Sequence, residues 1–271
     1  MEIHKCTKEK LKIQLETSRS FCTLPMPNQR NWLIHKALEE LASDLLYLDN
    51  KCQKFVNGSP REDIKGKWQT SKAYYDDKQL IIEKQQVMQS WEDPYMKIMA
   101  EEIASSHGDI LEVGFGMGIS ATYIQQFDVK THTIIECNND VINKFHEWKQ
   151  QYPDKKIFLI EGKWQDVVND LSEYDGIFFD TYPLSESEYI QHALEGATYA
   201  QHFFKTAASH LKSGGMFTYY SNEIDTIGRQ HQRELFNFFN EVSIKVCKQL
   251  CPPDDCNYWW ADSMLVIKAI K

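Results

Sequence analysis

From residue 110 onward, hydrophobic residues occur in short apolar runs that longer amphipathic stretches separate. Seven runs have the length and the β-branched or aromatic content of buried strands. They cover residues 110–113, 131–135, 157–160, 176–180, 215–220, 242–247 and 264–269. Helical patterns lie between them at residues 139–151, 186–211 and 229–240. This alternation predicts an α/β fold, a doubly wound, seven-stranded, mostly parallel sheet in which the last two strands can form an antiparallel hairpin.

The N-terminal part of the chain has a different pattern. Between residues 31 and 50, apolar residues recur at spacings of four and three, as on one face of a helix. These residues are Ile34, Leu38, Leu41, Leu45 and Leu48. A polar stretch with Gly and Pro at residues 57–67 indicates a linker. We therefore predict a helical extension at residues 1–67, which packs on the main domain, forms a dimer seam or covers the site, and a single domain at residues 68–271.

A second helical pattern is predicted in the first part of the main domain. It begins at Tyr74, continues through the apolar positions of residues 80–88 and ends at Met96. Within residues 89–96, Asp93 before Pro94 indicates a helix N-cap with proline at N1,.

Charge and composition exclude several classes of function. Thirty Lys and Arg against 39 Asp and Glu give a net charge of −9, so we expect no nucleic-acid partner. No run of about 18 apolar residues can span a bilayer, and the N-terminus lacks the apolar core of a secretory signal. We therefore expect a cytoplasmic protein without a membrane partner, as a monomer or a homodimer. The seven cysteines are expected to be reduced, and Cys251 and Cys256 lack the second close pair that a metal site needs.

Residues 109–120, DILEVGFGMGIS, give the strongest local signal. A buried strand ends in three glycines at alternate positions, which let the backbone turn sharply and approach a ligand. Ile119 occupies the position of the third glycine of the dinucleotide fingerprint, which disfavours a pyrophosphate ligand. Glu136 ends the next strand about 20 residues beyond Gly116, where an acid binds ribose hydroxyls. Together they favour S-adenosylmethionine, a nucleoside without phosphates; the alternative is an ordinary tight turn followed by a surface Glu.

Other candidate site residues lie near the ends of predicted elements. Asp180 ends an apolar strand, where a carboxylate is costly unless it is paired or solvated, and it is the strongest catalytic candidate. Trp164 and Gln165 follow the third strand and either hold an adenine ring or belong to a core-packed helix entry. Glu92 precedes the first strand at a helix entrance and is either structural or part of the site.

Seven segments of residues 68–271 resemble the guanidinoacetate N-methyltransferase family, in the family's order. They are VMQSWEDPYM at 87–96, LEVGFGMGIS at 111–120, IIECN at 134–138, GKWQD at 162–166, DTYPLSE at 180–186, LKSGG at 211–215 and CPPDDCNYW at 251–259. DTYPL, and GFGM together with IIECN, are the specific ones. The resemblance implies a Rossmann-like class I methyltransferase fold and transfer of a methyl group from S-adenosylmethionine to a guanidino group.

The resemblance also implies roles for individual residues. The cofactor-binding set is Met88, Met96, Gly114, Phe115, Gly116, Met117, Gly118, Ile119, Ser120, Glu136, Cys137, Asn138, Trp164 and Gln165. Glu92 and Asp180 match the two acids that grip the guanidino group, and Trp68 and Tyr182 join them as substrate-binding residues. A guanidinium is planar and offers paired donors that suit two carboxylates. Because it has no free lone pair, its attacking nitrogen must lose a proton, which we expect Asp180 to accept.

One segment departs from the family and concerns the substrate. After the fifth strand the family has an Asn-Leu-Thr type segment whose backbone holds the carboxylate of guanidinoacetate, whereas residues 219–225 here read YYSNEID. Glu223 and Asp225 would repel a carboxylate if they pointed inward. We therefore expect the substrate to be guanidinoacetate or an arginine-like small guanidino compound. The alternatives are an arginine-directed peptide or protein methyltransferase and a non-catalytic S-adenosylmethionine-binding module.

Overall fold

A computed structural model describes residues 36–43 and 67–271, apart from residues 182, 185, 190 and 193–195. The chain divides into two compact units, residues 1–58 and 59–271. In the first unit, helix α1 (36–43) lies within the helix predicted at residues 31–50. The rest of that predicted helix, and residues 57–66 of the predicted linker, lie outside the described residues. The boundary of the N-terminal extension and its role stay predictions.

Residues 73–89 form a small antiparallel sheet and not the predicted helix. Its strands, in spatial order, are β1 (Ala73–Tyr75), β2 (Gln79–Ile82) and β3 (Gln85–Gln89). Glu83 and Lys84 join the last two strands with φ angles of 48° and 65°, as in a two-residue hairpin turn. Leu80 and Ile82 are buried and alternate with half-buried neighbours, which is the period of a strand. The helical prediction was therefore wrong for this segment.

The main sheet has seven strands. They are β4 (Asp109–Val113), β5 (Thr131–Glu136), β6 (Ile157–Glu161), β7 (Tyr174–Phe179), β8 (Leu211–Tyr219), β9 (Glu241–Lys248) and β10 (Ser263–Ile270). Their order is β6-β5-β4-β7-β8-β10-β9. Strands β4 to β8 pair in parallel, and β10 is antiparallel to both β8 and β9. The predicted sheet is confirmed, and its order reverses between β4 and β7, the switch point where such sheets bind ligands.

Within the described part of residues 67–271, seven α-helices precede or connect these strands. They are α2 (Asp93–Ala104), α3 (Ile119–Ile124), α4 (Asn139–Lys149), α5 (Trp164–Val167), α6 (Glu186–Tyr189), α7 (Gln201–His210) and α8 (Arg229–Phe236). The helix predicted at residues 186–211 is interrupted. At Gly196 a Cβ would lie 2.6 Å from the carbonyl oxygen of His192, so the chain turns there with a glycine. Among the described residues, no helix combines the length and the apolar character needed to cross a bilayer.

Apolar residues cover both faces of the sheet. Along β4, Ile110 belongs to one buried cluster and Leu111 to a second, and along β7 Phe178 and Phe179 divide in the same way. All four side chains are at most 1% exposed. Because successive side chains of a strand point to opposite faces, the sheet lies between two hydrophobic layers. This is why its central strands are almost continuously apolar in the sequence.

Asn138 links the small sheet region to the main sheet. Its Oδ1 accepts the backbone N–H groups of Asp140 and Val141, at 3.0 and 3.2 Å, which caps α4. Its Nδ2 donates to the carbonyl oxygens of Trp68 and Ser71, at 2.7 and 2.8 Å. The side chain is fully buried, so all four hydrogen bonds lie away from solvent.

Replacing Asn138 by Ala is expected to lower the free energy of unfolding by about 2–4 kcal/mol, because a helix cap is lost and two buried carbonyls lose their donor. The measurement is chemical denaturation, with limited proteolysis of residues 68–75 as a second readout. Asn139→Ala, at the exposed next position, is the control and should change stability by no more than about 0.5 kcal/mol. Equal stability of the two variants would contradict this role of Asn138.

Candidate active site

The glycine loop after β4 packs directly against the end of β7. At Gly114, which has a φ of +95°, a Cβ would lie 2.0 Å from the carbonyl oxygen of Asp180. At Gly118, which has a φ of +72°, a Cβ would lie 2.7 Å from the ring of Phe115. Both positions require glycine, because a side chain would be strained and would collide. The cofactor loop and the strand that ends at Asp180 are therefore in contact through their backbones.

Glu136 holds the other side of the glycine loop. Its carboxylate accepts the backbone N–H of Phe115 at 3.1 Å, of Cys137 at 2.7 Å and of Asn138 at 2.9 Å. Burial raises the pKa of Glu136, against these hydrogen bonds. An acid at the end of β5, hydrogen-bonded to the loop after β4, fits the position from which a ribose hydroxyl is bound.

Met88, Met96 and Cys137 of the predicted cofactor set, and Tyr75 outside that set, contact this loop or belong to the core. The Sδ of Met88 accepts the N–H of Met117 at 3.4 Å. The Tyr75 hydroxyl donates to the carbonyl oxygen of Gly116 at 3.1 Å. Met96 is fully buried in the core. Burial raises the pKa of the Cys137 thiol to about 12, so this neighbour of Glu136 is a neutral thiol.

The Trp164 ring packs edge-on against Phe179 and Phe203, with ring centroids 6.0 and 5.0 Å apart. These contacts belong to the apolar cluster on the sheet face opposite the one that includes Phe115. Gln165 is exposed. The contacts of Trp164 are those of the core-packing alternative, and the adenine role of both residues stays a prediction.

Glu92 is 2% exposed and lies between β3 and α2. Its Oε1 accepts the N–H of Gln89 at 2.8 Å and the hydroxyl of Tyr258 at 2.5 Å. The contact with Gln89 closes a capping box, so the acid has a structural role in its turn. Burial, and then the charge of Asp180, raise the pKa of Glu92 to about 8.

Asp180 follows β7, and its backbone N–H donates to the carbonyl oxygen of Val113 at 3.0 Å. The residue keeps some exposed surface, but its carboxyl lies in a largely desolvated environment. This burial, and then the charge of Glu112, raise the pKa of Asp180 to about 7. Because the pKa values of both Glu92 and Asp180 are raised, the ligand-free pair retains protons near neutral pH,. A bound cation would favour ionisation of both acids.

Sequence reasoning missed the tyrosines around this acid pair. The Tyr220 hydroxyl is buried and makes no hydrogen bond within the described residues, and it lies near enough to Glu92 to favour its ionised form. Tyr95 meets the Tyr220 ring edge-on, at 5.5 Å between centroids. Tyr220 directly follows β8, so the rule that selected Asp180 also selects it. Tyr258 lies in the CPPDDCNYW segment, but no local pattern links it to Glu92.

Of the two predicted substrate-binding aromatic residues, the structure describes only one. Trp68 is buried, and its carbonyl oxygen accepts from Asn138. Tyr182 lies outside the described residues, so its role stays a prediction.

Several polar groups of the loop after β8 form hydrogen bonds within the protein. The N–H of Ser221 donates to the Tyr95 hydroxyl, and the N–H of Glu223 donates to the Ser221 hydroxyl, each at 3.2 Å. The Glu223 carboxylate accepts from Nδ1 of the buried His231 at 3.0 Å. Because a carboxylate can only accept from His231 Nδ1, a neutral His231 receives the Tyr219 hydroxyl on Nε2, at 2.6 Å. The hydrogen bond from His231 therefore holds the Glu223 carboxylate against helix α8.

Comparison with known families agrees with the resemblance seen in the sequence. A family model described as guanidinoacetate N-methyltransferase matches residues 55–271. A protein arginine N-methyltransferase 2 of Candida glabrata is 37% identical over 125 residues, which are 41% of this chain and 30% of that protein. The protein of the same name from Debaryomyces hansenii is 30% identical over 224 residues, which are 73% of this chain and 45% of that protein. The chain thus spans less than half the length of these curated relatives.

Among solved structures, a spermidine synthase in complex with the transition-state analogue AdoDATO has a TM-score of 0.53 and 15% sequence identity. The match covers 73% of this chain and 72% of the other. At this level of identity the likeness shows a shared fold alone.

The buried acids should make the ligand-free protein less stable as the pH rises. Their folded-state pKa values of about 7 and about 8 exceed the unfolded values near 4, so the stability of their neutral forms is present below pH 4 and lost by pH 8. Asp180→Asn should therefore lose less stability than the wild type between pH 5 and pH 8, and melt higher at pH 8. Each kcal/mol shifts Tm by roughly 2–4 °C in a domain of this size.

Differential scanning calorimetry at the two pH values measures this effect. Asp175→Asn is the matched control, since it removes an acid of the same strand that is paired with Lys212 at 2.6 Å and should lower Tm. If Asp180→Asn melted below the wild type at pH 8, the buried acid would not be destabilising.

Proposed function

The chain belongs to the guanidinoacetate N-methyltransferase family, and we propose that it methylates the guanidino group of an arginine residue in a peptide or protein, with S-adenosylmethionine as the methyl donor. The observation that carries this proposal is the pair of acids with raised pKa values, the buried Glu92 and the partly buried Asp180, which follows β7 at the switch point of the sheet. The names of the curated relatives, protein arginine N-methyltransferase 2, support the choice of arginine.

An acid pair of this kind suits a guanidinium. Burial raises the pKa values of both carboxyls. The charge of Asp180 raises that of Glu92 further, and the charge of Glu112 raises that of Asp180 further. A planar cation with paired donors would neutralise both and satisfy both by hydrogen bonds. Glu92 has its Oε1 occupied by Gln89 and Tyr258, which leaves Oε2 as the oxygen for the substrate. The buried Tyr220 hydroxyl supplies a further polar group beside the same cation.

The residues around the glycine loop fit the methyl donor. The loop has no side chain at Gly114 and Gly118, where the backbone turns, and Glu136 offers an acceptor for ribose hydroxyls beside it. When bound, S-adenosylmethionine supplies a methyl group on a positively charged sulfur. Asp180 accepts the proton that the attacking guanidino nitrogen must lose. The contact between Gly114 and Asp180 places donor loop and base next to each other, which favours catalysis by positioning.

The loop after β8 supports a peptide substrate over guanidinoacetate. A free carboxylate would need backbone donors there, but the N–H groups of Ser221 and Glu223 already donate to Tyr95 and to the Ser221 hydroxyl. The Glu223 carboxylate adds a negative charge to the same loop. An arginine residue within a polypeptide carries no carboxylate close to its guanidino group, so it does not need these donors.

Methyl transfer from radiolabelled S-adenosylmethionine to a substrate panel tests the proposal. The panel contains an arginyl peptide blocked at both ends, free arginine, agmatine and guanidinoacetate. The blocked peptide should be labelled faster than guanidinoacetate by about tenfold or more, since a carboxylate without donors costs about 1–3 kcal/mol. Faster labelling of guanidinoacetate would favour the small-molecule substrate, and no labelling despite cofactor binding would overturn the proposal.

Asp180→Asn should lower kcat on the best substrate by about 10²–10⁴-fold, because the amide cannot accept the proton. The Kd for S-adenosylmethionine, measured by calorimetry, should stay within about threefold, since Gly114 contacts the backbone of Asp180 and not its side chain,. Asp175→Asn is the control and should retain kcat. A kcat within tenfold of wild type in Asp180→Asn would remove Asp180 from the role of base.

A further inference from the structure

Four buried polar side chains lie next to one another beside the glycine loop. Glu112 and His132 are 0% exposed, Ser120 is 3% exposed and Gln125 is 6% exposed. The Ser120 hydroxyl donates to Oε1 of Glu112. The Nε2 of His132 lies 2.9 Å from Oε2 of Glu112, and the Nε2 of Gln125 lies 2.8 Å from Nδ1 of His132. Ser120 belongs to the predicted cofactor-binding set, whereas Glu112, Gln125 and His132 have no role assigned above.

The donors and acceptors of these four side chains indicate which atoms carry their polar protons. An amide nitrogen can only donate, so the Nδ1 of His132 accepts from Gln125. The remaining ring proton of a neutral His132 is then on Nε2, which faces Glu112. Ser120 donates to the other oxygen of the same carboxylate. Oε1 of Glu112 therefore has a hydroxyl donor, and its Oε2 has the ring of His132 within 2.9 Å, although these two atoms are not aligned for a hydrogen bond.

The strand register places Glu112 beside the catalytic acid. Glu112 is the register partner of Phe178 on the neighbouring parallel strand. Phe178 and Asp180 are two residues apart, so their side chains point to the same side of the sheet. Glu112 and Asp180 are thus diagonal neighbours on adjacent strands. The charge of Glu112 is, after burial, the second cause of the raised pKa of Asp180.

We propose that Glu112 is a positioning residue for catalysis, whose buried negative charge makes Asp180 a stronger base, and that Ser120 and His132 hold this charge in place. The base role of Asp180 rests on the function proposed above. Burying a carboxylate costs stability, and its negative charge raises the proton affinity of a neighbouring acid. Here its effect is to make ionised Asp180 a stronger acceptor for the proton that the guanidino nitrogen loses.

A purely structural role for Glu112 predicts different behaviour. Its bond to Ser120 ties β4 to α3 across the glycine loop, and a Gln at this position would keep an acceptor for Ser120 without the charge. Glu112→Gln therefore separates charge from shape. A structural tie predicts changes in cofactor affinity or stability, whereas the charge effect predicts a shift in the pH dependence.

Other groups also face Asp180 and are kept constant in this comparison. Glu92 faces it from the turn before α2, Tyr95 from α2 and Tyr220 from the end of β8. Tyr258 reaches the same place through Glu92. Burial raises the pKa values of all three tyrosines, so they stay neutral between pH 5 and pH 9. Glu112 itself is faced by His132.

The first test is the pH dependence of kcat/KM, which reports groups of the free enzyme. The acidic limb of the profile should move to lower pH by about one unit in Glu112→Gln, as expected for removing a charge at this range in the protein interior. Glu112→Asp retains the charge and should stay nearer the wild-type limb. Glu102→Gln is the matched control, since Glu102 is a 6% exposed acid paired with Lys268 at 2.8 Å, and it should leave the limb in place.

The second test needs no turnover. The carboxyl of Asp180 is titrated by NMR in protein with 13C-labelled aspartate, and its signal is identified by its loss in Asp180→Asn. The midpoint should fall in Glu112→Gln, or in Glu112→Met if the Gln variant does not fold. An unchanged midpoint in a folded neutral variant overturns the role of Glu112. Failure of the wild type to methylate any guanidine instead overturns the proposed function, so the two failures are distinguishable.

Discussion

The structure depends on burying negative charge at the carboxyl edge of its sheet. Burial raises the pKa values of Glu92 and Asp180, and the charge of Asp180 adds to this effect at Glu92, as the charge of Glu112 does at Asp180. Such burial costs stability, and within the protein it is offset by donors from backbone and side chains. Hydrogen bonds alone do not neutralise the charge. In the proposed function a cationic guanidinium neutralises this charge, which would make this edge a binding site and not only a part of the core.

The absence of a side chain at Gly114 connects this charged edge to the cofactor loop. With a Cβ 2.0 Å from the carbonyl oxygen of Asp180, no other residue allows the loop to lie so close to β7. Glu136 holds the opposite side of the loop through the N–H of Phe115. Loop and acid thus occupy fixed relative positions before any ligand binds. Preorganisation of this kind lowers the free-energy cost of aligning two substrates.

The sequence predicted the main sheet well because buried parallel strands are nearly continuous apolar runs, bounded by polar or glycine-rich turns. It failed at residues 73–89, because the turn at Glu83 and Lys84 has left-handed angles without the Gly or Asn that normally mark such a turn. The contacts around the acids were not predictable either. Tyr258 reaches Glu92 across 166 positions of the chain, and a local pattern carries no information about such a pair. The sequence thus predicted which residues end the strands, but not which side chains contact those residues.

Substrate choice in this site must come from groups other than the acids. Every guanidinium offers the same planar donors, so under the proposed function Glu92 and Asp180 would bind different guanidines alike, and discrimination would require contacts elsewhere on the substrate. The loop after β8 is in a position to provide it. In that loop the N–H of Glu223 donates to the Ser221 hydroxyl, so a substrate carboxylate placed there would lose water without gaining this donor. A few local hydrogen bonds can thus exclude carboxylate-bearing substrates while the acid pair and the fold stay unchanged.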